Sequence, residues 1–332
     1  GAVIGGLGFI LLSLMNNLWY FYGGYIVTGI GMAAIGTVPA SVVVSNWFKK
    51  RRGTAIGLMS AGVGAGGFVL APFVGGYLIP NFSWRASYLA LTLLTWMLIP
   101  LVLLVIKTKP ADMGLYPDGM PAPEAMAVTE ASLSASEGLS LKVALATPAL
   151  WLIAVSFLAS AFSHVGVIQS QVPYLEDIGF PVAAAAGALG GVGLGSLIGK
   201  LGFGWLCDRI QPKYACCISL VLQLVSIIIL MSVQPVSPLA IIWLYAIVMG
   251  LGTGGWLPTM SMLISASFGS ASYGAIFGMV ILAQNVGIAT GPLMAGYMYD
   301  TMNTYHWAFI ILSALYIVAI PAVLAVRCPK SP

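Results

Sequence analysis

The sequence predicts an all-α integral membrane protein, and three observations carry that prediction. Hydrophobic residues make up 60% of the 332 residues, charged residues only 7%, and the mean hydropathy is +1.00. Soluble domains carry about 25% charged residues, so most of this surface does not face water. Apolar runs of roughly 20 residues recur, the length that crosses about 30 Å of hydrocarbon at 1.5 Å per residue. The strict apolar–polar alternation of a membrane β-barrel is absent. Backbone groups in lipid must be satisfied within their own segment, so the runs are read as helices.

Apolar length and helix breakers give about ten spans, at 1–16, 18–45, 53–79, 86–106, 147–171, 181–206, 214–233, 238–264, 273–298 and 305–326. Trp19, Tyr20, Trp47, Trp84, Trp151, Tyr305 and Trp307 gather near span ends, as an interfacial aromatic belt does. One alternating set of loops holds Lys49, Lys50, Arg51, Arg52, Lys107, Lys109, Lys142, Arg209, Lys213, Arg327 and Lys330. The opposite set holds only Arg85, and Lys200, inside a span, completes the 13 Lys and Arg. The positive-inside rule then puts the rich set, the linker and both ends in the cytoplasm, most simply at a plasma (inner) membrane. Gly1 opens directly in an apolar run, with neither a starting Met nor a charged leader, so the chain is expected to begin within a longer protein.

From Thr108 to Ser140 the composition changes. Pro110, Pro117, Pro121 and Pro123 stand among Asp112, Asp118, Glu124, Glu130 and Glu137 with few apolar neighbours, the signature of a flexible linker. The expected organisation is a half-bundle at 1–106, a cytoplasmic linker at 107–146 and a second half-bundle at 147–332. A formal charge of +4 without a basic, aromatic-rich stripe gives no support for nucleic-acid binding. Cys207, Cys216, Cys217 and Cys328 have no metal-ligand spacing and read as packing residues, so neither a metal nor a cofactor is implied.

The two halves resemble each other. "GIGMAAIGTVPASVVVSNWF" (Gly29–Phe48) aligns with "GLGTGGWLPTMSMLISASF" (Gly250–Phe268), pairing Gly29 with Gly250, Gly31 with Gly252, Pro39 with Pro258 and Phe48 with Phe268. Gly53-xxx-Gly57 then matches Gly274-xxx-Gly278, and "PFVGGY" (Pro72–Tyr77) matches "PLMAGY" (Pro292–Tyr297), each with a glycine five residues earlier. The offset stays within about two residues of 220. Parallel repeats of this kind are a transporter architecture. By the same offset the first half begins before Gly1, so two of its six helices are expected to precede this sequence, which makes about ten of twelve present.

Two six-helix halves joined by a cytoplasmic linker resemble the major facilitator superfamily. "GFGWLCDR" (Gly202–Arg209) is similar to the G-x-x-x-D-R core of that superfamily's loop motif, through Gly204, Asp208 and Arg209. "NWFKKRRGTAIGLMSAG" (Asn46–Gly62) resembles the signature of the monocarboxylate transporter and oxalate/formate antiporter branch. "VPYLEDIGF" (Val172–Phe180) and "SWRASY" (Ser83–Tyr88) also look like that branch. The resemblance implies a major facilitator fold of two pseudo-symmetric helical bundles working by alternating access. It gives Asp208 and Arg209 the role of a conformational latch rather than a substrate contact. A carboxylate there also suits the positive end of a neighbouring helix.

Lys49, Lys50, Arg51 and Arg52 read as a topology anchor that attracts anionic lipid, a gating contact being the other reading. The glycines of "GALGGVGLG" have no strand before them, so close helix packing explains them better than a dinucleotide loop. Lys200 is the discriminating residue. An ammonium at mid-helix costs roughly 2.5–3.5 kcal/mol on insertion scales. It either snorkels towards the interface near Asp208, about 12 Å along the axis, or meets an anionic substrate in a cleft between the lobes. The family motif places an essential Arg eight residues before this Asp as carboxylate ligand; here Lys200 offers a point charge instead of a fork.

His164, Ser196, Gln169, Gln284 and Asn285 are the further candidates for substrate binding, with Gln171 and Thr253 as other polar groups inside spans. Each could equally be a helix–helix hydrogen bond. Glu176, Asp177 and Asp300 fall at span ends, so a coupled proton would ride on His164, on the substrate or on a residue outside this sequence. "GMVILAQNVGIATGP" carries no cation, which by the resemblance favours one carboxylate over two. The sequence therefore reads as a secondary transporter of a small organic anion, coupled to a proton or a counter-anion. A carrier of a drug or neutral solute and a non-translocating receptor are the rivals; no enzyme constellation is present.

Overall fold

The structure is a computed structural model that describes residues 1–119, 139–269 and 271–326. Among the linker and terminal residues named above, Pro121, Pro123, Glu124, Glu130, Glu137, Arg327, Cys328 and Lys330 lie outside the described residues. The described chain is helical: α1 Ala2–Ser13, α2 Leu18–Ile35, α3 Thr37–Trp47, α4 Arg52–Pro72, α5 Ile79–Asn81 and α6 Trp84–Val105, then α7 Leu141–Ala146, α8 Pro148–Asp177, α9 Val182–Cys207 and α10 Pro212–Met231, and finally α11 Leu239–Gly254, α12 Trp256–Phe268, α13 Tyr273–Met302 and α14 His306–Leu324. Phe73–Leu78 forms a π-helical stretch between α4 and α5.

Local chemistry sets the boundaries. Asn17 caps α2 by accepting from the Tyr20 amide at 3.0 Å. Pro148 and Pro212 open α8 and α10, where a missing N–H costs nothing. Asn303, left-handed at φ 52°, ends α13, and Gly269 at φ 75° follows α12.

Two of the expected spans are interrupted. The run at 18–45 breaks at Gly36 and the run at 238–264 breaks at Gly255, aligned positions of the internal repeat. Proline explains both: Pro39 and Pro258 each stand four residues after the last residue of the preceding helix, Ile35 and Gly254. A proline ring clashes with the carbonyl four residues back but fits the first turn of a new helix.

Among the described residues, eight helical segments are long and apolar enough to cross a membrane, counting α2–α3 and α11–α12 as one each. Bare apolar side chains such as Leu103, Leu104 and Val105, 69–80% exposed, suit lipid rather than water.

The chain divides into two compact units. One comprises Gly1–Lys49 and Gly62–Ala125, the other Lys50–Ala61 and Met126–Pro332, so α4 contributes to both. In the first, Trp47 Nε1 donates to the Lys107 carbonyl at 2.8 Å and the Lys49 amide to Asp118 at 3.0 Å. These bonds fasten the first residues after α6 to the end of α3. In the second unit α8 packs on α13 where Gly287 and Gly291 meet the backbone near Phe162, and α9 packs on α11 through paired glycines. Its interior holds polar pairs: Tyr245 donates to Gln171 at 2.8 Å and Tyr316 to Gln223 at 2.9 Å, all four buried. Gln171 is thereby committed to the core.

Candidate functional site

Helix α9 runs between two glycine surfaces within the second unit. A Cβ built on Gly57 of α4 would lie 2.5 Å from the Lys200 carbonyl oxygen and 3.0 Å from the Gly204 Cα. One built on Gly254 of α11 would lie 2.5 Å from the Lys200 amide nitrogen and 2.5 Å from the Ser196 carbonyl oxygen. Neither distance accommodates a side chain, so only glycines let the three backbones close on the turn that carries Lys200. The ammonium side chain is half-buried and, among the described residues, has neither an ion-pair nor a hydrogen-bond partner.

The break between α11 and α12 is the common neighbour of the polar groups. On one side Gly254 touches Ser196 and Lys200, and the Cβ position of Gly255 lies 2.9 Å from the Phe203 ring. On the other, Thr253 Oγ1 donates to the Met249 carbonyl at 2.7 Å and lies 3.3 Å from His164 Nδ1. The imidazole of His164 meets the indole of Trp256 edge-on, with ring centroids 5.5 Å apart. Lys200 and Ser196, one turn apart on α9, and His164, more than thirty positions earlier on α8, thus flank one interruption of a helix. Interrupted helices at corresponding points of two repeats are where carriers of this architecture place their sites.

Gln284 is half-buried on α13, whereas Gln169 and Asn285 are exposed. Two buried groups have no hydrogen-bond partner, the indole N–H of Trp256, whose ring meets His164, and the side-chain oxygen of Gln284. A buried polar atom left unmet costs about 1–3 kcal/mol. Trp256 was not among the residues singled out from sequence. The signal that finds it is Pro258, which marks the break.

Asp208, at the end of α9, accepts from the Gly53 amide at 2.7 Å, the Thr54 amide at 2.8 Å and Thr54 Oγ1 at 2.6 Å. Its carboxylate caps the N-terminus of α4, where the helix dipole favours a negative charge. Gly204 faces Gly53 and Gly57 one turn earlier. Arg209 does not share this contact; it is exposed, its guanidinium 4.2 Å from the Trp205 ring centre. Lys49, Lys50 and Arg51 are exposed, while Arg52 is drawn in against Ser265 and Tyr273.

Membrane-length helices, a repeat broken twice at the same place and a lysine held inside a span define a membrane carrier. The chain belongs to the Major Facilitator Superfamily, whose family profile matches residues 1–236 and 166–332. Monocarboxylate transporter 12 of Xenopus laevis is 26% identical over 331 residues, covering 94% of this chain and 69% of that protein. Monocarboxylate transporter 13 of Bos taurus is 24% identical over 316 residues, covering 95% and 69%. Among solved structures, the E. coli fucose:proton symporter FucP superposes with a TM-score of 0.68 at 15% identity, over 98% of this chain and 81% of that one. The human organic anion transporter MFSD10 gives 0.67 at 15% identity, over 97% and 75%. At that identity the likeness to the two structures establishes the fold.

Proposed function

We propose that this chain is a secondary transporter of a small organic anion, a monocarboxylate, and that Lys200 is the group that receives the carboxylate. One observation carries the reading: a half-buried lysine inside a span, its ammonium unpartnered among the described residues and its backbone packed against a broken helix. A cation in that setting needs an anion, and a transported carboxylate supplies one transiently. Relatives named as monocarboxylate transporters support the cargo class. Lysine provides one point charge, and the stretch Gly278–Pro292 adds no second cation, so a single carboxylate matches the charge and a dicarboxylate does not.

Ser196 and His164 supply hydrogen bonds beside it, with Gln284 on α13 and the exposed Gln169 and Asn285 as further contacts of the path. Coupling to a proton assigns the titrating group to His164; coupling to a counter-anion needs no such group. Asp208, seated on α4, serves as the conformational latch and releases as access changes sides, with the basic loops in the cytoplasm.

The test is counterflow in proteoliposomes loaded with unlabelled monocarboxylates of increasing chain length. Lys200→Ala abolishes exchange while reaching the membrane in normal amounts, and Lys200→Arg keeps part of it. A carrier of a neutral solute would exchange that solute normally with alanine at position 200. A receptor would bind ligand, read as a thermal shift, yet show no exchange in the wild-type protein.

A further inference from the structure

Thr253 has one hydroxyl proton and two polar neighbours. Its Oγ1 lies 2.7 Å from the Met249 carbonyl oxygen, one turn back on α11, and 3.3 Å from His164 Nδ1 on α8. A carbonyl can only accept, and the shorter contact takes the proton. The hydroxyl therefore meets His164 with a lone pair, so the hydrogen across the 3.3 Å contact belongs to Nδ1. A neutral imidazole carries a single N–H. This accounting assigns the Nδ1–H tautomer to His164 and leaves Nε2 a bare acceptor.

The surroundings support that tautomer and leave Nε2 open. The Trp256 indole meets the imidazole edge-on, ring centroids 5.5 Å and planes 70° apart, which fixes the tilt of the ring. Among the described residues Nε2 has no hydrogen-bond partner, and His164 keeps 9% of its surface exposed. Helices α7, α9, α10, α13 and α14 pack on α8, while α11 and α12 meet it at Thr253 and Trp256. The carboxylates on these elements, Glu176, Asp177, Asp208 and Asp300, stand at helix ends, as do Lys142, Lys213 and His306. Inside the spans the charged residue is Lys200, and the buried phenols of Tyr245 and Tyr316 are committed to Gln171 and Gln223. Among the described residues, then, no carboxylate competes with Thr253 for the Nδ1 proton.

We propose that Thr253 is a positioning residue that locks the tautomer of His164, and that Nε2 is the port through which a proton coupled to transport enters and leaves. The proposal rests on the transporter reading and on coupling to a proton, but not on the identity of the cargo. A proton from water adds to the Nε2 lone pair and gives an imidazolium whose Nδ1–H still bonds Thr253. The same proton leaves Nε2 for water once access has changed, which restores the starting tautomer. Without the lock the neutral ring also populates the Nε2–H form, whose lone pair faces position 253 instead of the opening.

The chain has two histidines, His164 and His306. In a His306→Gln parent, nitrogen-15 NMR of the histidine-labelled full chain in bilayers therefore reads one imidazole. With the ring neutral, Nδ1 is expected to give the protonated, pyrrole-type signal and Nε2 the unprotonated, pyridine-type signal. Thr253→Val is expected to mix the two forms and to lower uptake driven by a pH gradient about tenfold or more, with counterflow within about twofold of the parent. Thr253→Ser, which keeps the hydroxyl, restores both readouts. A merely structural role for Thr253 would lower counterflow and gradient-driven uptake together. An Nε2–H signal in the parent, unchanged signals in Thr253→Val, or parent uptake indifferent to a pH gradient overturns the proposal. A parent that exchanges nothing removes the transporter reading and the port with it, while the tautomer stays legible in the spectrum. Should Lys200→Ala exchange its cargo normally while the Thr253 effects hold, the anion assignment fails and the port stands.

Discussion

Replacing Asp208 with asparagine changes one atom and should loosen the start of α4. The aspartate accepts three hydrogen bonds there, from the Gly53 amide, the Thr54 amide and Thr54 Oγ1, at 2.7, 2.8 and 2.6 Å. Asparagine keeps one oxygen, enough for the Gly53 amide, and turns an NH2 group towards the two Thr54 donors. The charge on the helix N-terminus disappears as well, a loss of up to about 1 kcal/mol at a half-exposed site. The Thr54 hydroxyl can rotate to accept from that NH2, so one charge-assisted bond, from the Thr54 amide, is lost outright, and the total cost is about 2 kcal/mol, or roughly thirtyfold in the opening equilibrium. Amide hydrogen exchange at Gly53 and Thr54, followed by mass spectrometry on the full chain in nanodiscs, reads that factor directly. Amides in the middle of α14 serve as the internal reference. Equal protection of Gly53 in both proteins would refute the reasoning. So would a uniform rise across the reference amides, which would mean that the whole unit had been destabilised rather than one cap.

Gly57→Ala places a methyl 2.5 Å from the Lys200 carbonyl oxygen, so α4 and α9 must separate; the cost is about 1–3 kcal/mol, seen as a lower Tm in micelles. Gly202→Ala, with nothing within 4 Å, should raise Tm slightly through a helix-propensity gain of up to about 1 kcal/mol, and so controls for that contribution. Tyr316→Phe strips the donor from the buried Gln223 oxygen, and Tm should fall by an amount corresponding to about 1–3 kcal/mol. His164→Asn should retain counterflow but lose uptake driven by a pH gradient; gradient-driven uptake at the wild-type rate would show that His164 carries no coupled proton.

Hydropathy was enough to read most of the helices, because lipid leaves a spanning backbone no other solution; of the ten expected runs, eight are helices of spanning length, while 1–16 holds the short α1 and 53–79 passes into a π-helical stretch. It was blind to the interruptions at Gly36 and Gly255, since apolar length does not register a break. Yet Pro39 and Pro258 were visible in the repeat, and each implies a helix end four residues upstream. Lys200 stood out because an ammonium inside a span is rare. That Ser196 and His164 reach the same break depends on how α8, α9 and α11 pack, which spacing along one helix does not encode. Gln171 shows the converse: polar inside a span, it could have lined a path or bonded between helices, and its partner Tyr245 on another helix decides for the second. Arg52 looked no different from its three neighbours in sequence. Its withdrawal follows from Ser265 and Tyr273, more than two hundred positions away.

The glycine contacts on either side of α9 have a mechanical consequence. Most helices interlock through side chains, so sliding one past another forces rotamers to rearrange and the motion proceeds in notches. Where Gly53, Gly57 and Gly204 meet, and where Gly195, Gly199, Gly250 and Gly254 meet, bare peptide faces bare peptide. Such a joint behaves like a plain bearing: α9 can shear by fractions of a turn against α4 and α11 with almost no teeth to clear. The helix that carries Lys200 and ends in Asp208 therefore meets two neighbours with little side-chain interlock between them.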